Sequence, residues 1–162
     1  MPRDGFRVVL TCRAGFLVPC TPRLGRGVGL PGVAAVHAQK WHKAFELYAH
    51  ITWRTRSSER AIAKRHVEVI ASSVLRAAER HKMRVLAQAV LTDHVHVLVS
   101  YRPDSILAAF VRDAKSESSR RSVTVGWCRG YYAGSVCRRH IAAVRHYIAR
   151  QHSHHPDLIP PG

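Results

Sequence analysis

The sequence predicts an α+β fold of the ferredoxin-like (RRM-like) kind. This is a split βαβ sandwich with one antiparallel sheet, two helices on one face and a further helix at the C-terminal end. Three observations predict it. Four short segments rich in aromatic and β-branched residues alternate with two amphipathic stretches in the order β-α-β-β-α-β. The two middle strands are separated by only Thr92-Asp93, a connection that fits a hairpin. A last helical pattern follows the fourth strand. With 162 residues, the chain can build one domain with a real core and hardly two.

Residues 1 to about 43 stand apart. PCTPRLGRGVGLPG sets Pro and Gly at turn-forming density with neither helical nor strand periodicity, so this segment is expected to be a disordered leader. It reads as an addition to an ordinary domain spanning 44–152. From Phe45, FELYAHITWRT reads as the first strand. SSERAIAKRHVEVIASSVLRAAERHK reads as a long helix, with Ser57 or Ser58 as N-cap and Ile62, Val69, Ile70, Val74 and Ala77 along one apolar stripe. MRVLAQAVL and HVHVLVSY are the hairpin strands. After Arg102-Pro103-Asp104, SILAAFVRDAKSESSRR reads as the second helix, with a basic C-terminal half. GYYAGSV is the fourth strand, and one of Tyr131 and Tyr132 is expected in the core. RRHIAAVRHYIARQ is the last helix, and residues 153–162 form a polar, proline-stopped tail expected to be flexible.

Lys+Arg number 26 against 10 Asp+Glu, a formal net charge of +16. A folded domain this basic repels itself and favours a polyanionic partner. The basic residues are spread along the chain and are mostly arginine, whose planar fork suits phosphate oxygens; nucleic acid is the leading partner class. The four cysteines, Cys12, Cys20, Cys128 and Cys137, form neither a CxxC pair nor a zinc-finger spacing and read as reduced thiols. No apolar run is long enough to cross a membrane, and Arg13 breaks the apolar start, so a cytoplasmic protein is expected.

The chemistry centres on Thr92-Asp93-His94-Val95-His96-Val97-Leu98-Val99-Ser100. Alternation on a strand sends Val95, Val97 and Val99 to one side and His94 and His96 to the other. The valines suit the helix-covered face, which turns both imidazoles toward the open face of the sheet. Their Cα atoms stand about 7 Å apart, close enough for both rings to converge on one ion. Alone, an HxH among 12 histidines reads first as a surface pair, and its context has to supply the rest. In the last helix Ile141, Val144 and Ile148 form a docking stripe, and Tyr147 and Gln151, four residues apart, lie one above the other at its edge. A phenol and a carboxamide so placed can meet the same metal-bound phosphate.

Together these pieces resemble the HUH (His-hydrophobic-His) single-tyrosine transposases of bacterial insertion sequences, over about Phe45 to Gln151. LYAHITWRT is similar to the family's opening strand and TDHVHVLVS to its metal strand. FVRDAKSESSRR is similar to its second helix, GWCRGYYAGSV to its Trp-containing segment, and HYIARQ to its catalytic helix. REP-associated tyrosine transposases are close relatives, but Tyr147 to Gln151 look more like the insertion-sequence branch. The resemblance implies that His94, His96 and Gln151 are metal ligands for Mg²⁺ or Mn²⁺ and that Tyr147 is the nucleophile. It implies cleavage of single-stranded DNA at hairpin-marked ends through a 5′-phosphotyrosine bond. It also implies a homodimer, often with the tyrosine helix of one subunit against the other subunit's histidines. The leader and Cys137, where the family has a glycine, depart from the pattern.

Lys115, Arg120 and Arg121 read either as DNA-backbone contacts or as a solvated helix face. Trp53 and Trp127 could stack on bases or simply pack. Tyr48 and Tyr101 beside strands read as packing. His140 lies nearer the Tyr147 face of the last helix than Arg145 or His146 does. Two other readings stand beside the enzyme. One is an RRM-type module that holds single-stranded nucleic acid without cutting it, which predicts stacking aromatics where this chain has His94 and His96. The other is a decayed or domesticated transposase that binds but no longer cleaves. A metallohydrolase barrel needs more chain than this.

Overall fold

A computed structural model describes residues 46–162; the leader expected over 1–43 lies outside them. Strands β1 (Leu47–Arg54), β2 (Arg84–Val90), β3 (His94–Tyr101) and β4 (Tyr132–Ser135) form one antiparallel sheet in the order β2-β3-β1-β4. Helices α1 (Lys64–Arg80) and α2 (Leu107–Arg121) lie between β1 and β2 and between β3 and β4 in the chain, giving the β-α-β-β-α-β order. The hairpin turns tightly at Thr92-Asp93, where the Leu91 amide donates to the His94 carbonyl at 2.9 Å.

One face of the sheet makes the main core. Ala49, Ile51 and Trp53 of β1 and Val95, Val97 and Val99 of β3 pack against Ile70, Val74 and Ala77 of α1 and Phe110, Val111 and Ala114 of α2. Glu117 of α2, itself buried, pairs with Arg76 and Arg80 of α1 and ties the two helices together. Burial raises its pKa, but the two guanidiniums more than offset this and hold the carboxyl below its usual range.

Several expectations are corrected. Helix α1 starts at Lys64, not after a serine cap. Ser57 and Ser58 adopt a left-handed φ of 55° in a 3₁₀ turn, and Ala63 is the N-cap. The Ala63 amide donates to His66 Nδ1 at 3.2 Å, so a histidine at N3 plays the part that a Glu or Gln has in a capping box, while the N-cap itself offers no side-chain acceptor. Ile62 is fully buried, but as extended chain whose amide donates to the Thr92 carbonyl. Tyr131 and Tyr132 are both exposed, because β4 is a four-residue edge strand with little cover. The last helical stretch is not continuous. Residues Arg138–His140 form a 3₁₀ turn, α3 covers Ile141–Ala149, and α4 (Gln151–His154) begins after a break at Arg150. The segment 153–162 bonds to the hairpin turn and to the start of α1: the Thr92 amide donates to the Leu158 carbonyl at 3.0 Å, and the Lys64 amide to the Pro161 carbonyl at 2.7 Å.

Candidate active site

The alternation along β3 that buries its valines sends His94, His96 and Leu98 to the other face. That face is not open. Helix α3 docks across it through Val144 and Ile148, which pack on Leu98, Ala89 and Leu91, and each of the two histidines is left 7% exposed.

Both imidazoles are held at Nδ1. His94 Nδ1 lies 2.5 Å from Asp93 Oδ1, and Asp93 in turn stands 3.6 Å from Arg54. His96 Nδ1 lies 3.0 Å from His50 Nε2 and 3.2 Å from Thr52 Oγ1. Their free edges converge, with the two Nε2 atoms 3.0 Å apart. Burial, followed by the neighbouring His94 and His50, pushes His96 down to about 3. Burial also lowers His94, against the opposing pull of Asp93. Both rings are therefore neutral at pH 7, the form in which an imidazole ligates a metal.

Tyr147 sits at the edge of the docking stripe of α3, 36% exposed. Its ring centroid is 6.0 Å from that of His96 and 6.1 Å from that of His50, both nearly perpendicular, and 6.2 Å from that of His154. Gln151 does not share an unbroken helix with Tyr147, since the chain breaks at Arg150. Its side chain still turns back to donate an N–H to the Tyr147 carbonyl at 3.2 Å. The carboxamide is fully buried, and its Oε1 has no hydrogen-bond partner. A buried carbonyl oxygen left unpaired is costly unless something completes it.

The two imidazoles fit a divalent ion. Two Nε2 atoms 3.0 Å apart match neighbouring ligands of an octahedral ion with bonds of about 2.1 Å. Gln151 Oε1 is a buried oxygen whose lone pairs are unused. Among the described residues no group of three or more His, Cys, Asp or Glu side chains is arranged to hold a metal. The two imidazoles would therefore need the carboxamide and oxygens from outside the chain.

The basic residues of α2 separate. Lys115 is engaged within the fold: its ammonium donates to the carbonyls of Cys128 at 3.0 Å and Gly130 at 2.6 Å and faces that of Arg129, pinning the loop before β4. Arg121 is exposed and bridges to Ser72 of α1 at 3.0 Å, and Arg120 is exposed beside it. Between α2 and residues 123–131 lies a groove of about 660 Å³, with Arg56, Arg112, Lys115 and Arg129 on its walls. The two tryptophans pack rather than present their faces. Trp53 is 2% exposed and meets Trp127 edge-on at 6.2 Å, and Trp127 Nε1 donates to Ser118 at 2.9 Å. Tyr48 is buried and donates to Glu46, so it does not compete with Tyr147. Cys137 adopts an ordinary extended backbone (φ −76°), so the missing glycine costs no strain there; its thiol lies 3.2 Å from His140 Nδ1, which faces the chain before α3.

Sequence reasoning missed His50, Thr52 and Asp93. A signal existed for the first two. His50, Thr52 and Arg54 alternate along β1, and pairing β1 antiparallel to β3 sets Thr52 opposite His96 and Arg54 opposite His94.

The chain is similar to known proteins over this same region. The family model described as "Transposase IS200 like" matches residues 43–151. No curated protein matches the chain. Among solved structures, a candidate transposase from Deinococcus radiodurans is 21% identical and superposes with a TM-score of 0.54, covering 68% of this chain and 94% of that one. A REP-associated tyrosine transposase bound to a REP hairpin is 13% identical with a TM-score of 0.55, covering 70% of this chain and 69% of that one. At these identities the two structures support the fold, and the family match spans both the histidine strand and the tyrosine helix. The chain belongs to the IS200-like transposase family.

Proposed function

We propose that this transposase cleaves and rejoins single-stranded DNA through a 5′-phosphotyrosine at Tyr147, with Mg²⁺ or Mn²⁺ held by His94, His96 and Gln151. One observation carries the reading. The phenol ring of Tyr147 stands 6.0 Å from His96, whose Nε2 converges with that of His94, all within one chain.

A phosphodiester resists nucleophiles because it is anionic, so the site must neutralise charge and align the attack. A divalent ion at the two imidazoles would supply Lewis-acid neutralisation of a non-bridging oxygen and of the departing 3′-oxygen. Tyr147 Oη forms the new bond to phosphorus, the bond from phosphorus to the 3′-oxygen breaks, and the phenol's proton ends on the freed 3′-hydroxyl. The phosphotyrosine conserves the energy of the broken bond, so a 3′-hydroxyl of another strand can reverse the step. Docking of α3 through Val144 and Ile148 holds the nucleophile over the imidazoles. A net charge of +16 suits a nucleic-acid substrate, and Arg120 and Arg121 are the exposed guanidiniums of α2 proposed to meet its backbone. Hairpin-marked DNA ends are proposed as the substrate, by analogy with the REP hairpin bound by the similar structure. A homodimer working in the cytoplasm, each subunit with its own complete site, is part of the same reading.

The test offers single-stranded DNA from the gene's own flanks with Mn²⁺ and looks for a covalent protein–DNA band on a denaturing gel. The band is expected with the natural protein and absent with Tyr147→Phe. A band that survives Tyr147→Phe means the nucleophile is another residue. Binding without any band favours the non-cleaving module.

A further inference from the structure

We infer that His50 is a positioning residue for His96, setting the direction in which the His96 imidazole offers its Nε2. The inference rests on the reading of His94 and His96 as metal ligands. His50 lies on β1 opposite Leu98, one diagonal step from His96, and its ring is on the same face of the sheet. Its Nε2 is 3.0 Å from His96 Nδ1, and with centroids 5.2 Å apart and only 18° between their planes the two rings lie edge to edge, nearly coplanar. It also meets Tyr147 edge-on at 6.1 Å, so one side chain touches both halves of the composite site.

An imidazole presents only one lone pair when neutral, and the hydrogen bond at one nitrogen decides what the other can do. For His94 that partner is the Asp93 carboxylate, an acceptor only, which keeps the proton on Nδ1 and leaves Nε2 as the lone pair. His96 has no carboxylate at Nδ1. Its partners there are His50 Nε2 and the Thr52 hydroxyl. Because His96 must keep its Nε2 lone pair to ligate, its Nδ1 is the donor, and His50 Nε2 is the nearer of the two partners to accept from it. The hydrogen bond fixes the tautomer, and its in-plane, edge-to-edge geometry fixes the plane of the ring. Asp93 on one side and His50 on the other therefore act as a matched pair of holders behind two convergent Nε2 atoms.

The test compares His50→Ala, His50→Leu, His50→Gln and Thr52→Val with the natural protein in two measurements. The first is ¹⁵N-resolved NMR of the imidazoles without metal. His96 is expected in a single tautomer in the natural protein and in His50→Gln, whose carboxamide restores an acceptor. It is expected to average between tautomers in His50→Ala and His50→Leu. The second is Mn²⁺ affinity by titration, expected to weaken by about 10–100-fold in His50→Ala and His50→Leu. His50→Gln is expected to recover most of that loss, and Thr52→Val to lose less. His50→Leu fills the space without an acceptor, so natural behaviour in that variant would reduce His50 to packing and overturn the inference. A single His96 tautomer that survives His50→Leu overturns it as well, as does a larger effect from Thr52→Val than from either apolar variant. If the natural protein binds no Mn²⁺ while its His96 tautomer still depends on His50, the metal reading fails and the positioning role stands.

Discussion

The two faces of β3 are made from one eight-residue strand and have opposite chemistry. On one face Val95, Val97 and Val99 are fully buried among apolar side chains of α1 and α2. On the other His94 and His96 are also buried, but with their nitrogens held by Asp93, His50 and Thr52 and their free edges facing each other. Burial alone does not distinguish a core position from a reactive one. The difference lies in whether the buried group has unspent bonding capacity. The apolar face also fixes the register of the reactive one, because a one-residue slip would exchange valines and histidines.

Neighbouring substitutions break this comparison most sharply. His96→Gln should lower formation of the covalent DNA adduct by about 10³-fold, since the lost donor acts on charge developing at the phosphate. Its melting temperature should change little. Val97→Ala, one residue on, should cost about 2 kcal/mol of stability in chemical denaturation by opening a cavity. Below its melting temperature its adduct yield should stay near that of the natural protein. If both variants lose stability and neither selectively loses chemistry, the two faces are not functionally distinct.

A second experiment sharpens where the reactive face ends. Tyr147 stands against His96 of its own chain, so each subunit should carry a complete site. A mixture of His94→Ala and Tyr147→Phe, with subunit exchange verified, should show no more cleavage than either variant alone. Recovery would mean that α3 exchanges between subunits and that Tyr147 acts on the partner's imidazoles.

The apolar side has an electrostatic member that can be titrated. Glu117 is held below the usual carboxylate range because the guanidiniums of Arg80 and Arg76 outweigh its desolvation. Its contribution is fully present above the unfolded carboxylate pKa of about 4.3 and is lost as pH falls through the lower folded value. The arginines are half exposed, so the pair is worth only about 1 kcal/mol. Glu117→Gln should lower stability at pH 7 by about that amount, and the gap to the natural protein should start to narrow as pH falls below the unfolded carboxylate value and vanish only beneath the lower folded one.

How much of this was legible in the sequence follows from the same contrast. The β-α-β-β-α-β order, the hairpin and the facing of His94 and His96 all come from periodicity, a property of neighbours in the chain. What periodicity could not supply was tertiary. Ser57 and Ser58 have the chemistry of N-caps, but the Ile62 amide is bonded to the Thr92 carbonyl and the helix begins only at Lys64. His50 is 46 residues from His96 and becomes its neighbour only once the β1–β3 register is known. The tie from the Lys115 ammonium to the carbonyls of residues 128–130 likewise exists only in the folded chain. The break at Arg150 carries no glycine or proline to announce it.

The smallest expected effect concerns that last separation among the cations. Arg120 is exposed on α2, whereas Lys115 spends its donors on backbone carbonyls. A backbone contact contributes uniformly across sequences and releases counterions, so its loss should appear in the salt dependence of binding. Arg120→Ala should weaken single-stranded DNA binding only a few-fold and lower the salt slope by about 0.7, the value for one phosphate contact on a single strand. Lys115→Met should leave that slope unchanged while lowering the melting temperature, because removing the ammonium leaves three loop carbonyls without their donor. Fluorescence anisotropy over a range of salt concentrations, paired with thermal melts, separates the two. A slope that falls with Lys115→Met and not with Arg120→Ala would move the DNA contact off the exposed end of α2 and onto the groove beside residues 123–131.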